Sequence, residues 1–174
     1  MNKINQRRNR NRGYRNLRVW KHSVDLYAEV VSVCRDWPYE MKRLSSQTMA
    51  SADSVHRNIA EGYCRRSLKE YLVFINYALG SLGETGSAIL AYSQAGQISD
   101  EQAEKLDSRI YQVENELLAL NLSLINKATD PESNFVRESS PDYSVQDDFA
   151  MLFNQLLDDL SQEERELKHI EFTS

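Results

Sequence analysis

Cysteine, proline and glycine are scarce in this chain: two, three and six among 174 residues. Cys34 and Cys64 are too few and too isolated for a disulfide framework. So few turn-formers, set among abundant Leu, Ala, Glu, Lys, Arg, Gln and Ser, favour helix over sheet. No run approaches the roughly 18 apolar residues of a membrane span, so a soluble protein is expected. The first residues are rich in Arg and Asn and lack the apolar stretch of a signal peptide, which makes a reduced, cytoplasmic location the expectation. Chemistry is thinly provided as well. His22, His56 and His169 fall on separate elements, and no His or Cys pair has C-x-x-C or H-x-x-x-H spacing. No glycine-rich phosphate loop follows a strand, and no two carboxylates stand out as an acid–base pair. The chain is therefore expected to be no enzyme, with no catalytic residue, metal or cofactor.

What is present is asymmetric charge. The net charge is −5, yet residues 1–21 carry eight Lys or Arg and no acid, residues 22–128 carry ten cations against fourteen acids, and residues 129–174 carry three against twelve. A basic head and an acidic tail flank a nearly balanced middle.

Residues 1–16, MNKINQRRNRNRGYRN, have no apolar period and read as a disordered basic arm. From there to residue 128 the pattern is helical. Leu17, Trp20, Val24, Tyr27, Val31 and Cys34 form one stripe, with Asn16 as N-cap and Pro38 just beyond the end. Thr48, Ala52, Val55, Ile59 and Tyr63 place a second helix from about Leu44 to Glu61. The third has two apolar faces, one through Leu72, Ile75, Leu79, Leu82 and Ile89 and one through Tyr71, Phe74, Ala78, Ala88 and Tyr92, and so is expected between neighbours. Asn76, Gly80, Gly83 and Ser87 make a flat strip on it, where another backbone is expected to approach. Gly96 ends that helix, Ser99 to Gln102 reads as a capping box, and Ala103, Leu106, Ile110, Val113, Leu117, Leu120 and Leu124 follow as a seam of heptad type. Residues 129–143 read as a linker. Residues 144–174 read as an acidic amphipathic helical extension, with Phe149, Leu152, Phe153 and Leu156 on its apolar side.

The densest polar stretch is HRNIAEGYCRRSLKEY, residues 56–71. Gly62 is expected as a left-handed helix end, Ser67 to Glu70 as the capping box of the next helix, and Glu61 with Arg65 as an ion pair. His56 and Arg57 are expected on the face away from Val55 and Ile59. Together these describe a corner between two helices.

The order Leu17-x-Val-Trp20, Pro38, Glu40, Leu44-x-x-Gln47, Ser54-Val-His-Arg-Asn-Ile-Ala-Glu-Gly62, Arg65-Arg66-Ser67-x-Lys-Glu-Tyr71 and Ala78-Leu-Gly-Ser-Leu82 resembles the small proteins encoded in 23S rRNA intervening sequences. It is also similar to the accessory variability determinants of diversity-generating retroelements. The resemblance spans residues 17–128, with Asn58, Glu61, Gly62, Ser67, Gly80 and Ser81 as its structural motif. It implies an all-α, up-and-down antiparallel four-helix bundle assembling as a homopentameric barrel. For the retroelement relatives it implies binding to nucleic acid and to a reverse transcriptase.

Two functional readings follow. In the first, the chain is an oligomeric nucleic-acid-binding accessory protein. Arg7, Arg8, Arg10, Arg12 and Arg15 of the arm contact phosphates of RNA or DNA, Tyr14 stacks on a base, and Arg18, Arg57, Arg65, Arg66 and Lys69 extend the basic surface. A solvated tail and ordinary helix-end pairing with Glu61 and Glu70 are the bland counterparts. In the second, the chain is a protein-interaction scaffold whose partner binds Phe149, Leu152, Phe153 and Leu156, unless that helix caps its own bundle.

Overall fold

The computed structural model describes residues 10–129. They form four helices, α1 (Arg18–Cys34), α2 (Lys42–Cys64), α3 (Leu68–Gln94) and α4 (Asp100–Thr129), with short 3-10 segments at Arg10–Asn16 and Tyr39–Met41 and no strand among the described residues. The expectations for residues 1–9, for the linker and for the acidic extension, including Phe149, Leu152, Phe153 and Leu156, lie outside the described residues.

Each helix packs on two others: α1 on α2 and α4, α3 on α2 and α4. This closed ring of neighbours is a four-helix bundle. Cross-helix contacts set the directions. The hydroxyls of Thr48, early in α2, and Tyr92, late in α3, lie 2.7 Å apart, whereas Gly62 at the far end of α2 meets Tyr71 and Phe74 at the start of α3. Likewise Arg18, first in α1, pairs with Glu116 well along α4, and Glu29 further on pairs with the earlier Arg109. Sequential helices joined by short connections thus run antiparallel, and the last returns beside the first.

The core follows the apolar stripes, with one shift of register. In α2, Thr48, Ala52, Val55 and Ile59 are buried, and in α4, Leu106, Ile110, Val113, Leu117 and Leu124 are. In α3, Ile75, Ala78, Leu82, Thr85, Ile89 and Tyr92 run between the two expected faces. In α1 the buried line is Val19, Ser23, Leu26, Val30 and Cys34, one position round from the expected stripe. Trp20 and Tyr27 lie half-buried on the rim of the core, and Ser23 is admitted to its centre because its hydroxyl donates to the Trp20 carbonyl at 2.8 Å. Burial pushes the Cys34 thiol up to about 11. Asn121 is an outlier: it is fully buried, and neither atom of its amide has a hydrogen-bond partner among the described residues.

The helix ends match expectation at three places. Gly96 adopts φ +68°, with Gln97 N–H bonded to the Tyr92 carbonyl and Gly96 N–H to that of Ser93, a Schellman stop. Ser99 and Gln102 cap each other reciprocally at 3.2 and 3.0 Å, and Ser67 Oγ accepts from Glu70 N–H at 3.2 Å. Two other ends differ. Leu17, not Asn16, is the N-cap of α1, because the preceding 3-10 turn already bonds Leu17 N–H to the Tyr14 carbonyl. Gly62 is not left-handed; it lies within α2, which continues to Cys64.

Candidate nucleic-acid interface

The corner between α2 and α3 is built around Gly62. A Cβ added there would come within 2.6 Å of the Tyr71 ring and 2.8 Å of Phe74 Cβ, so glycine is what lets the two helices approach. Arg65 takes over at the turn with extended backbone. Its guanidinium pairs with Glu61, lies 4.0 Å from Glu70 and sits 4.6 Å from the centroid of the Phe74 ring, a cation–π contact that holds the side chain in place. Arg66 and Lys69 follow, both exposed.

His56 differs from expectation. It is only 19% exposed, reaches toward α1 between Trp20 and Tyr27, and bonds Asp53 at 3.1 Å. Removal from water drives its pKa below the usual 6.5 against the opposing pull of Asp53, so the neutral ring is favoured. Glu61 is engaged with Arg65, and the two groups do not converge. Among the described residues no cluster of His, Cys, Asp and Glu is placed to hold a metal ion, and no helix is long and apolar enough to cross a membrane.

The end of the arm is also ordered. Residues 10–16, expected to be disordered, form a 3-10 segment packed on α2 and α1. Tyr14 packs T-shaped with Trp20 and Tyr63, ring centroids 5.2 and 6.3 Å away, and Gly13 lies against the Tyr63 hydroxyl, which a side chain there would have to displace. These aromatic contacts fix a segment that its own composition would leave loose. The Tyr14 ring, expected to stack on a nucleic-acid base, thus also packs within the chain and stays partly exposed.

The expected cations therefore separate into groups. Arg12 and Arg15 lie half-buried on the 3-10 segment beside the end of α2, with Arg15 5.9 Å from the Tyr14 ring, and Arg65, Arg66 and Lys69 occupy the corner at that same end. Arg10 begins the 3-10 segment, and Arg7 and Arg8 precede the described residues. Arg18 is held on the α1–α4 side by Glu116 at 3.2 Å, and Arg57 is paired with Asp53 at 3.2 Å two turns back along α2. Of the motif residues, Asn58 donates to the Ser54 carbonyl, and the Ser81 carbonyl accepts from Thr85. At Gly80 and Gly83 an added Cβ would have nothing within 4 Å, so the backbone expected to approach the strip is not one from the described chain. Three large exposed residues of α3, Val73, Tyr77 and Leu90, are not among the site residues expected from the sequence. For Val73 and Tyr77 the steps of four that lead from Lys69 are the available signal.

A small helical bundle with committed polar corners and cations gathered at one end is the class that fold and surface define. The chain belongs to the 23S rRNA-intervening sequence protein family, whose model matches residues 15–119. No curated protein matches the chain.

Proposed function

We propose that this protein is a non-enzymatic, oligomeric accessory factor that binds nucleic acid, RNA in the first instance, through the basic end of its bundle. The observation that carries the reading is the shared location of Arg12, Arg15, Arg66 and Lys69 beside the Arg65 corner, with the cationic residues 1–9 leading into it in sequence. Phosphate neutralisation by such cations supplies sequence-independent affinity. The family name refers to intervening sequences of 23S rRNA, which favours RNA over DNA as the first ligand to test. Self-association into a pentamer belongs to the same reading. Gly80, Gly83, Ser87 and Leu90, all exposed on α3 at steps of three and four, offer a second copy a small-residue strip with one large apolar side chain. Kinship with retroelement accessory proteins, and a reverse transcriptase as partner in the cytoplasm, extend the reading. They rest on the block from Ser54 to Gly62.

The experiment is a salt titration of a fluorescent RNA oligonucleotide against the full chain, residues 10–174, and the Arg66→Gln/Lys69→Gln variant. Cutting before residue 10 leaves the packed Gly13 and Tyr14 in place. Affinity is expected to fall with salt, with each single-strand phosphate contact adding about 0.7 to the log–log slope. Both altered chains should show a shallower slope. Equal slopes for all three would remove the basic end as the binding surface.

A further inference from the structure

We infer that the outer face of the first turns of α3 is a stacking platform for an unpaired base, with Tyr77 as the stacking residue and single-stranded nucleic acid as the ligand. The inference rests on the nucleic-acid reading above and deepens it by naming the strand form and a contact residue. Lys69, Val73 and Tyr77 recur at steps of four, on one side of a helix, with Arg66 just ahead of them. All four are exposed, Tyr77 by 58%. A phenol ring so placed is open to a planar ligand on a face where two cations can take phosphates.

The ring is also braced. Phe74 meets Tyr77 edge-on, with centroids 5.7 Å apart and planes at 89°, and the Arg65 guanidinium lies over Phe74. A ring held by its neighbours loses little freedom when a base stacks on it. Exposed Glu84, seven residues beyond Tyr77, repels phosphate, which favours a backbone path over Lys69 and Arg66 and away from the strip between Gly80 and Leu90. Tyr111 on α4 shows what is special about Tyr77. It is as exposed, at 65%, but stands between Asp107 and Glu114, exposed acids at i−4 and i+3. That makes it an internal control.

The test is anisotropy of a labelled single-stranded RNA of about twelve nucleotides and of its duplex, with full-length wild type, Tyr77→Ala, Tyr77→Phe and Tyr111→Ala. Solution mass is measured alongside. Tyr77→Ala should weaken single-strand binding by about 5- to 150-fold, the range for losing one base–aromatic stack. The salt slope should stay the same, because no charge is removed. Tyr77→Phe and Tyr111→Ala should remain within about twofold of wild type, and duplex binding should not respond. Salt-dependent binding that ignores Tyr77→Ala overturns the platform and leaves the basic end standing. Weakening that comes with a lower solution mass also overturns it, assigning Tyr77 to contact with a second copy. A wild-type chain that binds neither strand form removes both proposals.

Discussion

Gly62 and Gly80 both lie inside consecutive helices of the structure, yet they serve opposite surfaces. At Gly62 the space a side chain would need is filled by Tyr71 and Phe74 of the same chain; at Gly80 nothing lies within 4 Å. One glycine closes the fold and the other keeps a face open. The corner is thus spent on structure, with Glu61, Arg65, Ser67 and Glu70 tied to each other. The adjoining α3 face is what remains available for a ligand or a second copy.

The difference can be broken most forcefully at the corner. Gly62→Ala is expected to destabilise the fold by about 1–3 kcal/mol, the usual cost of overpacking, partly offset by alanine's better helix propensity. Chemical denaturation reads the change. Gly80→Ala should do the reverse: with room for the methyl group, it is expected to stabilise the isolated subunit by about 0.5–1 kcal/mol. The same variant should lower the solution mass of any assembly formed through the strip, so unfolding and mass together separate the two roles. The smallest effect belongs to His56, on the closed side. Its folded pKa lies below the unfolded value of about 6.5, so the unfolded chain takes up the proton first as pH falls. Stability should therefore decline below about pH 6.5, and His56→Gln should flatten that decline in thermal melts between pH 7 and 5.

Sequence periodicity identified the helices well wherever the apolar residue is also the central one. The α4 seam from Leu106 to Leu124 is the clearest instance, because medium-sized aliphatic residues occupy its middle. α1 was read one position off because its largest side chains, Trp20 and Tyr27, mark the rim, while small Ser23 reaches the centre by bonding its own helix. Gly62 was misread because a glycine beside a turn has the same signature whether it ends a helix or admits a neighbour. The deciding ring, Tyr71, is nine residues away. The order of residues 10–16 depends on Tyr63 and Trp20, contacts that no local composition reveals. Within the candidate interface, Arg66 and Lys69 were legible as a charge cluster. The sorting of Arg18 and Arg57 into ion pairs required the positions of Glu116 and Asp53.

The most direct measurement is the affinity of the full-length protein for single-stranded RNA at 50 and 200 mM salt. A basic end that meets the phosphate backbone predicts binding at the lower salt that drops by about tenfold or more at the higher, as several phosphate contacts require. No binding at 50 mM, or an affinity that salt does not change, would contradict the account.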